Sequence, residues 1–100
     1  MLNISKQLEE NVLTVHLAGR IDTNTAPTLQ AAMDPVPAGV TKVVLDFDGI
    51  DYISSAGLRV LLALTQELEE NDGRLELCHV NSLIMDVFDV TGFLEIMNIV

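Results

Sequence analysis

The chain has 100 residues, with 15 acids against 5 bases, a net charge of −10, and 49% hydrophobic but only 4% aromatic residues. That length suits one domain, which buries about 65% of the surface its unfolded form exposes, here around an aliphatic core. So acidic a surface repels nucleic acid and anionic membranes, because binding them requires Lys and Arg to replace counterions.

No apolar stretch reaches the roughly 18 residues needed to span a bilayer. Met1 to Lys6 lacks a charged head followed by an apolar core, so no signal peptide is expected. A single cysteine, Cys78, excludes an internal disulfide and fits a reducing, cytoplasmic setting. The acidic charge serves solubility, or it suits a basic partner protein.

Leu2, Ile4 and Leu8 share one parity, and Leu13, Val15 and Leu17 alternate after Glu9-Glu10-Asn11. Two such runs joined by polar residues predict a hairpin. His16 falls on its polar face and reads as a solvated residue, with no His, Cys or acid at metal-ligand spacing beside it. No metal site and no cofactor are therefore expected. Gly19 to Asp22 leaves the sheet, and Asn24 or Thr25 caps a helix through Leu29, Ala32 and Met33, which stops before Pro35.

Val40 to Phe47 reads as the next strand, apolar on both faces at Val43-Val44-Leu45. A strand of that kind is covered on both sides or lies at a crowded sheet centre. A tight loop carrying Asp46, Asp48 and Asp51, punctuated by Gly49, leads to a helix from about Ser55 to Asn71. Leu58, Leu61, Leu62 and Leu68 give that helix its apolar face, and Gly73 suits a left-handed cap. Arg74 to Val80 predicts a strand. Asn81 or Ser82 caps a third helix with Leu83, Ile84, Val87 and Phe88 on one face, and Ile96 to Val100 forms a last strand. The order, a hairpin followed by strand–helix units, predicts an α/β domain over residues 1–100 with a mixed sheet and helices packed on it.

The chemistry of the chain centres on Ser54-Ser55-Ala56-Gly57, where a buried strand feeds a helix. Strand ends that feed helix starts are where α/β folds place their sites. A serine there serves as an ordinary cap, with Gly57 allowing close packing. A phosphate on Ser55 would meet the unpaired N–H groups of the helix start and add about −1.5 to −2 of charge. Asp46, Asp48 and Asp51 upstream would repel it. Arg59 lies one turn beyond, within reach of Asp51 or of the phosphate. A nucleophile elbow would need Gly-x-Ser-x-Gly and a histidine; Ile53-Ser54-Ser55-Ala56-Gly57 lacks the first glycine, and only His79 follows. No phosphate-binding Gly-Lys-Ser/Thr loop occurs. No catalytic residue is assigned.

Four segments, taken in order, resemble a known family. They are Leu17-Ala18-Gly19-Arg20-Ile21-Asp22 with Thr25 beyond, Val43-Val44-Leu45-Asp46, Ile53-Ser54-Ser55-Ala56-Gly57-Leu58, and Phe88-Asp89-Val90-Thr91-Gly92-Phe93. Together they are similar to the STAS domain shared by sulfate transporters and bacterial anti-sigma factor antagonists, and the likeness covers nearly the whole chain. The resemblance implies a non-enzymatic α/β domain that binds an anti-sigma factor with serine kinase activity. Phosphorylation of a serine at the helix start releases that partner, and a serine phosphatase restores it. Aligning the Gly57-Leu58 step puts the serine at Ser55, with Ser54 the alternative. The implied partner-binding residues are Asp22, Thr25, Ser54, Ser55, Ala56, Gly57 and Arg59. The antagonists often have Asp before the modified serine, where Ser54 stands here, and usually carry a further C-terminal helix. The lack of a membrane segment favours the antagonist branch over the transporters.

Overall fold

A computed structural model describes residues 1–100. The chain runs β1 (Leu2–Glu9), β2 (Val12–Ile21), α1 (Ala26–Met33), β3 (Lys42–Ile53), α2 (Ser55–Glu70), β4 (Arg74–Cys78), α3 (Ser82–Thr91), a short 3₁₀ turn (Phe93–Glu95) and β5 (Asn98–Ile99). The five strands lie side by side in sequence order, β1 antiparallel to β2 and every later neighbour parallel. This is the mixed α/β sheet that the sequence order implies.

Parallel crossovers are right-handed, and three that step the same way along a sheet lay all their helices on one face. Burial follows that rule. Leu13, Val43 and Leu75 sit in register, as do Val15, Leu45 and Leu77, and all six are buried. The alternate rows, Thr14–Val44–Glu76 and His16–Asp46–Cys78, face the other way and keep some exposure. Val44 is thus half-buried on an open face, and the strand is not covered on both sides. Of the two readings of the Val43-Val44-Leu45 run, the crowded sheet centre holds, since β3 is the middle strand.

On the covered face Leu29 and Met33 of α1, Leu58, Leu61, Leu64 and Leu68 of α2, and Ile84 and Phe88 of α3 complete one cluster of 23 buried apolar side chains. Each fully buried aliphatic side chain contributes about 1.5–3 kcal/mol.

Several boundaries differ from the sequence reading. β2 continues to Ile21, and β3 runs unbroken through the acidic stretch to Ile53, so Asp46 to Asp51 is extended strand. Two register shifts against β2 let this happen: Ala18 pairs with Gly49, and Arg20 with Tyr52. Each inserts an extra residue into β3, as a bulge does, and the buried positions slip from Val43, Leu45 and Phe47 to Ile50 and Ile53. Gly49 is required there because a Cβ would stand 2.6 Å from that of Ala18. At the end of α2 the left-handed residue is Asp72 (φ 61°), and Gly73 does a different job. Its N–H donates to the Leu68 carbonyl at 2.7 Å, and a Cβ would press on the Thr41 carbonyl at 3.1 Å. Leu83, assigned to the apolar face of α3, is exposed, as is Leu8 at the sheet edge. The last strand is only Asn98–Ile99.

Candidate functional site at the start of the second helix

β2 and β3 overhang β4 and end together, with Ile21 opposite Ile53. One residue, Ser54, then separates β3 from α2. Its extended backbone (φ −98°, ψ 174°) suits an N-cap, and its Oγ accepts the Gly57 N–H at 3.3 Å. Its own N–H donates to the Ile21 carbonyl at 2.8 Å. Ser54 is therefore half-buried and engaged. Ser55 is the first helical residue, is exposed, and its hydroxyl has no protein hydrogen-bond partner. Ala56 is half-buried, and Gly57 is buried against the two strand ends. A Cβ on Gly57 would meet Ile21 Cγ2 at 2.6 Å and Ile53 Cγ1 at 2.8 Å. Absence of a side chain here lets the helix start rest on the ends of both strands.

The turn after β2 lies beside this start. Asp22 Oδ1 accepts the N–H groups of Asn24 (2.9 Å) and Thr25 (3.0 Å). In return Thr25 Oγ1 accepts the Asp22 N–H at 2.8 Å and donates to the Arg20 carbonyl at 2.7 Å. Thr25 stands at the cap position of α1 without capping it through its side chain. Between the two candidate caps, the position is Thr25, and the side-chain work is done from Asp22. The Thr25 N–H bond outweighs desolvation and, with bonds from the Asn24 N–H, the Thr25 hydroxyl and Arg20, holds the Asp22 carboxyl below its usual range. Arg20 also lies over the Tyr52 ring at 4.4 Å.

Next to the serines, α1 and α2 leave an open groove whose walls include Thr23, Pro27, Gln30, Ala56 and Arg59. Arg59 is exposed and makes no ion pair, so the suggested Asp51 contact does not form. The seven residues singled out by sequence thus fall at one end of the sheet, on the β2–α1 turn and the first turns of α2.

The acids do not ring the serine. Asp46 pairs with His16, five β2 residues before Ile21, which at about 3.3 Å per residue is roughly 17 Å away. Only Asp51 remains close in sequence. His79 also lies at Asp46, its Nδ1 2.9 Å from Oδ1, so it is not a base for Ser55. His16 is not simply solvated, because its Nδ1 is 2.9 Å from the other oxygen, Oδ2. The expectation of no ligand-type neighbours fails for a physical reason. The partners lie 30 and 33 residues apart and meet only through parallel pairing of β2, β3 and β4. The signal in the sequence was parity, since His16, Asp46 and Cys78 all fall on the open-face positions of their strands.

Partial burial pushes the Asp46 carboxyl up, but bonds from His79, the Asp48 N–H and His16 leave it below its usual value. The Asp46 bond raises His79. Burial and the negative charges of Asp46, Asp48 and Glu76 raise the Cys78 thiol.

A family model described as the STAS domain matches residues 3–100. The chain belongs to the STAS domain family. The Bordetella bronchiseptica protein named "Putative anti-sigma factor antagonist BtrV" is 39% identical over 88 residues, covering 87% of this chain and 76% of its own. Among solved structures, an anti-sigma factor antagonist from Mycobacterium paratuberculosis superposes with a TM-score of 0.86 at 23% identity, over 99% of this chain and 85% of that one. The Bacillus cell fate determinant SpoIIAA in its phosphorylated form superposes at 0.76 with 20% identity, over 98% and 91%. At those identities the two structures speak for the STAS fold. No helix of the chain is long and apolar enough to cross a membrane.

Proposed function

We propose that this STAS domain is an anti-sigma factor antagonist, docking an anti-sigma factor through the start of α2 and released by phosphorylation of Ser55. The supporting observation is the division of labour between the serines: Ser54 is used by the cap, whereas the exposed Ser55 has an unoccupied hydroxyl. The name carried by the Bordetella relative points the same way. The partner is an anti-sigma factor with serine kinase activity, a serine phosphatase resets the switch, and the domain itself catalyses nothing. On this reading it works in the cytoplasm.

The physical basis is charge placed on a small, flat surface. A phosphate adds about −1.5 to −2 units there. The free N–H groups of the helix start tolerate it, so the fold survives. A partner packed over Ser55, Ala56, Arg59 and the Asp22–Thr25 turn would have to desolvate that charge. The test is incubation with ATP and a candidate anti-sigma factor of the serine kinase class, followed by peptide mass analysis. One phosphate on Ser55, absent in Ser55→Ala and retained in Ser54→Ala, is expected. Ser55→Asp should weaken binding by at least about tenfold, or 1.4 kcal/mol. No phosphate, or equal affinity of wild type, Ser55→Ala and Ser55→Asp, would favour an unswitched scaffold in a larger signalling complex.

A further inference from the structure

We propose that Asp46, Cys78 and His79 form a binding site for a borderline first-row divalent cation such as Zn²⁺, with His16 as the residue that positions the Asp46 carboxylate. The proposal is independent of the phosphorylation reading, because the cluster sits on the open sheet face roughly 17 Å from the helix start.

The donor set carries the argument. One carboxylate oxygen, one thiol sulfur and one imidazole nitrogen lie within 4.8 Å of one another. Hard cations such as Mg²⁺ and Ca²⁺ prefer oxygen alone, while sulfur with imidazole selects Zn²⁺ and its neighbours. The geometry is set by backbone. Asp46 and Cys78 are in register on adjacent parallel strands. His79 follows with φ +57°, a left-handed turn that ends β4 and brings its Nδ1 to 2.9 Å from Asp46 Oδ1. Bonds of about 2.0–2.3 Å in a tetrahedron separate ligand atoms by about 3.3–3.8 Å. The His79–Asp46 contact would open by roughly half an ångström to admit the ion.

His16 occupies the other oxygen, Oδ2, at 2.9 Å. A group of this kind, behind a ligand, fixes its orientation. The nearby bases Lys42 and Arg74 are both paired with Glu76 and not with Asp46. On binding, the thiol proton and any proton on the His79 nitrogen pass to solvent, leaving thiolate and neutral imidazole as ligands. Three protein ligands leave a fourth position for water or for a side chain of a docked partner. His79 is 63% exposed, so that position opens to solvent.

The test uses the full chain, reduced, with ZnCl₂ and CoCl₂ as probes. Calorimetry should give one Zn²⁺ per chain, with protons released. The Co²⁺ form should show a near-ultraviolet thiolate-to-metal band that is absent in Cys78→Ser. His79→Gln should weaken binding by at least about tenfold and His16→Gln by about tenfold, the latter keeping the thiolate band. Asp48→Asn, outside the ligand set, should change affinity by less than about fivefold. Should Cys78→Ser fail to fold, Zn²⁺ should instead slow maleimide labelling of wild-type Cys78, with EDTA restoring the rate. Zinc uptake that persists in the Cys78→Ser/His79→Gln double variant marks an adventitious ion only and overturns the site. So does a labelling rate that Zn²⁺ leaves unchanged.

Discussion

The N–H of Ser54 donates to the carbonyl of Ile21 at 2.8 Å, so the final bond between β2 and β3 is also the anchor of the α2 cap. One residue thereby closes the sheet, caps the helix through Oγ, and hands the exposed position to its neighbour Ser55. The two serines should separate cleanly in stability measurements. Ser54→Ala removes the cap acceptor for the Gly57 N–H and should cost about 1 kcal/mol in urea unfolding. Ser55→Ala should stay within about 0.5 kcal/mol of wild type, as surface substitutions do. Equal losses would mean that Ser55 is also built into the helix start.

Gly57 meets the same two strand ends. Alanine there gains about 1 kcal/mol of helix propensity over glycine. Its Cβ, however, would lie 2.6 Å from Ile21 Cγ2 and 2.8 Å from Ile53 Cγ1, an overpacking that costs about 1–3 kcal/mol. Gly57→Ala should therefore be destabilising by roughly 1 kcal/mol, with the urea midpoint as readout. A stabilised variant would mean that the helix start can lift away from the strands at little cost.

These contacts show what the sequence could reveal. The alternation of Leu13, Val15 and Leu17, the Leu58–Leu61–Leu68 spacing and the cap candidates Ser54 or Ser55 and Asn81 or Ser82 are local signals, and each reappears in an element, with Ser54 and Asn81 as the caps. What stayed hidden depends on pairing between distant segments. Gly49 and the acids imitate a loop, because the bulges that keep them in β3 are defined only against Ala18 and Arg20 of β2. Val44 looked like core because nothing local states that every helix crosses on one side. The Asp46 cluster was invisible for the same reason, its members being joined only by parallel register.

Acid should weaken the β2–α1 turn. The Asp22 carboxyl, whose ordinary value is 3.8, is lowered in the folded chain, first by its bond from the Thr25 N–H. A depressed folded value means the stabilisation is complete above the unfolded pKa and disappears as pH falls through the folded one. Asp22→Asn keeps an acceptor oxygen for the Asn24 and Thr25 N–H groups and removes the charge. The gap in urea midpoint between wild type and Asp22→Asn should be constant above about pH 5 and close towards about pH 2. A gap that does not shrink would show that the charge of Asp22 contributes nothing to holding the turn.

Asn81 ties α3 to the middle strand from two directions. Its Oδ1 accepts the Ile84 N–H at 2.9 Å as a helix cap, while its Nδ2 donates to the Ile50 carbonyl at 2.8 Å. That carbonyl belongs to the bulged part of β3, where Gly19 pairs with Ile50. Serine can cap equally well but cannot reach across as a donor. Asn81→Ser should therefore keep the helix yet lose about 1 kcal/mol from the missing bond. Asn81→Ala loses both roles and should cost about 2 kcal/mol. Amide exchange in β3 around Ile50 should quicken in both variants, whereas exchange in the first turn of α3 should quicken only in Asn81→Ala. If serine matched wild type in both readouts, the bond to Ile50 would add nothing to how α3 is held on the sheet.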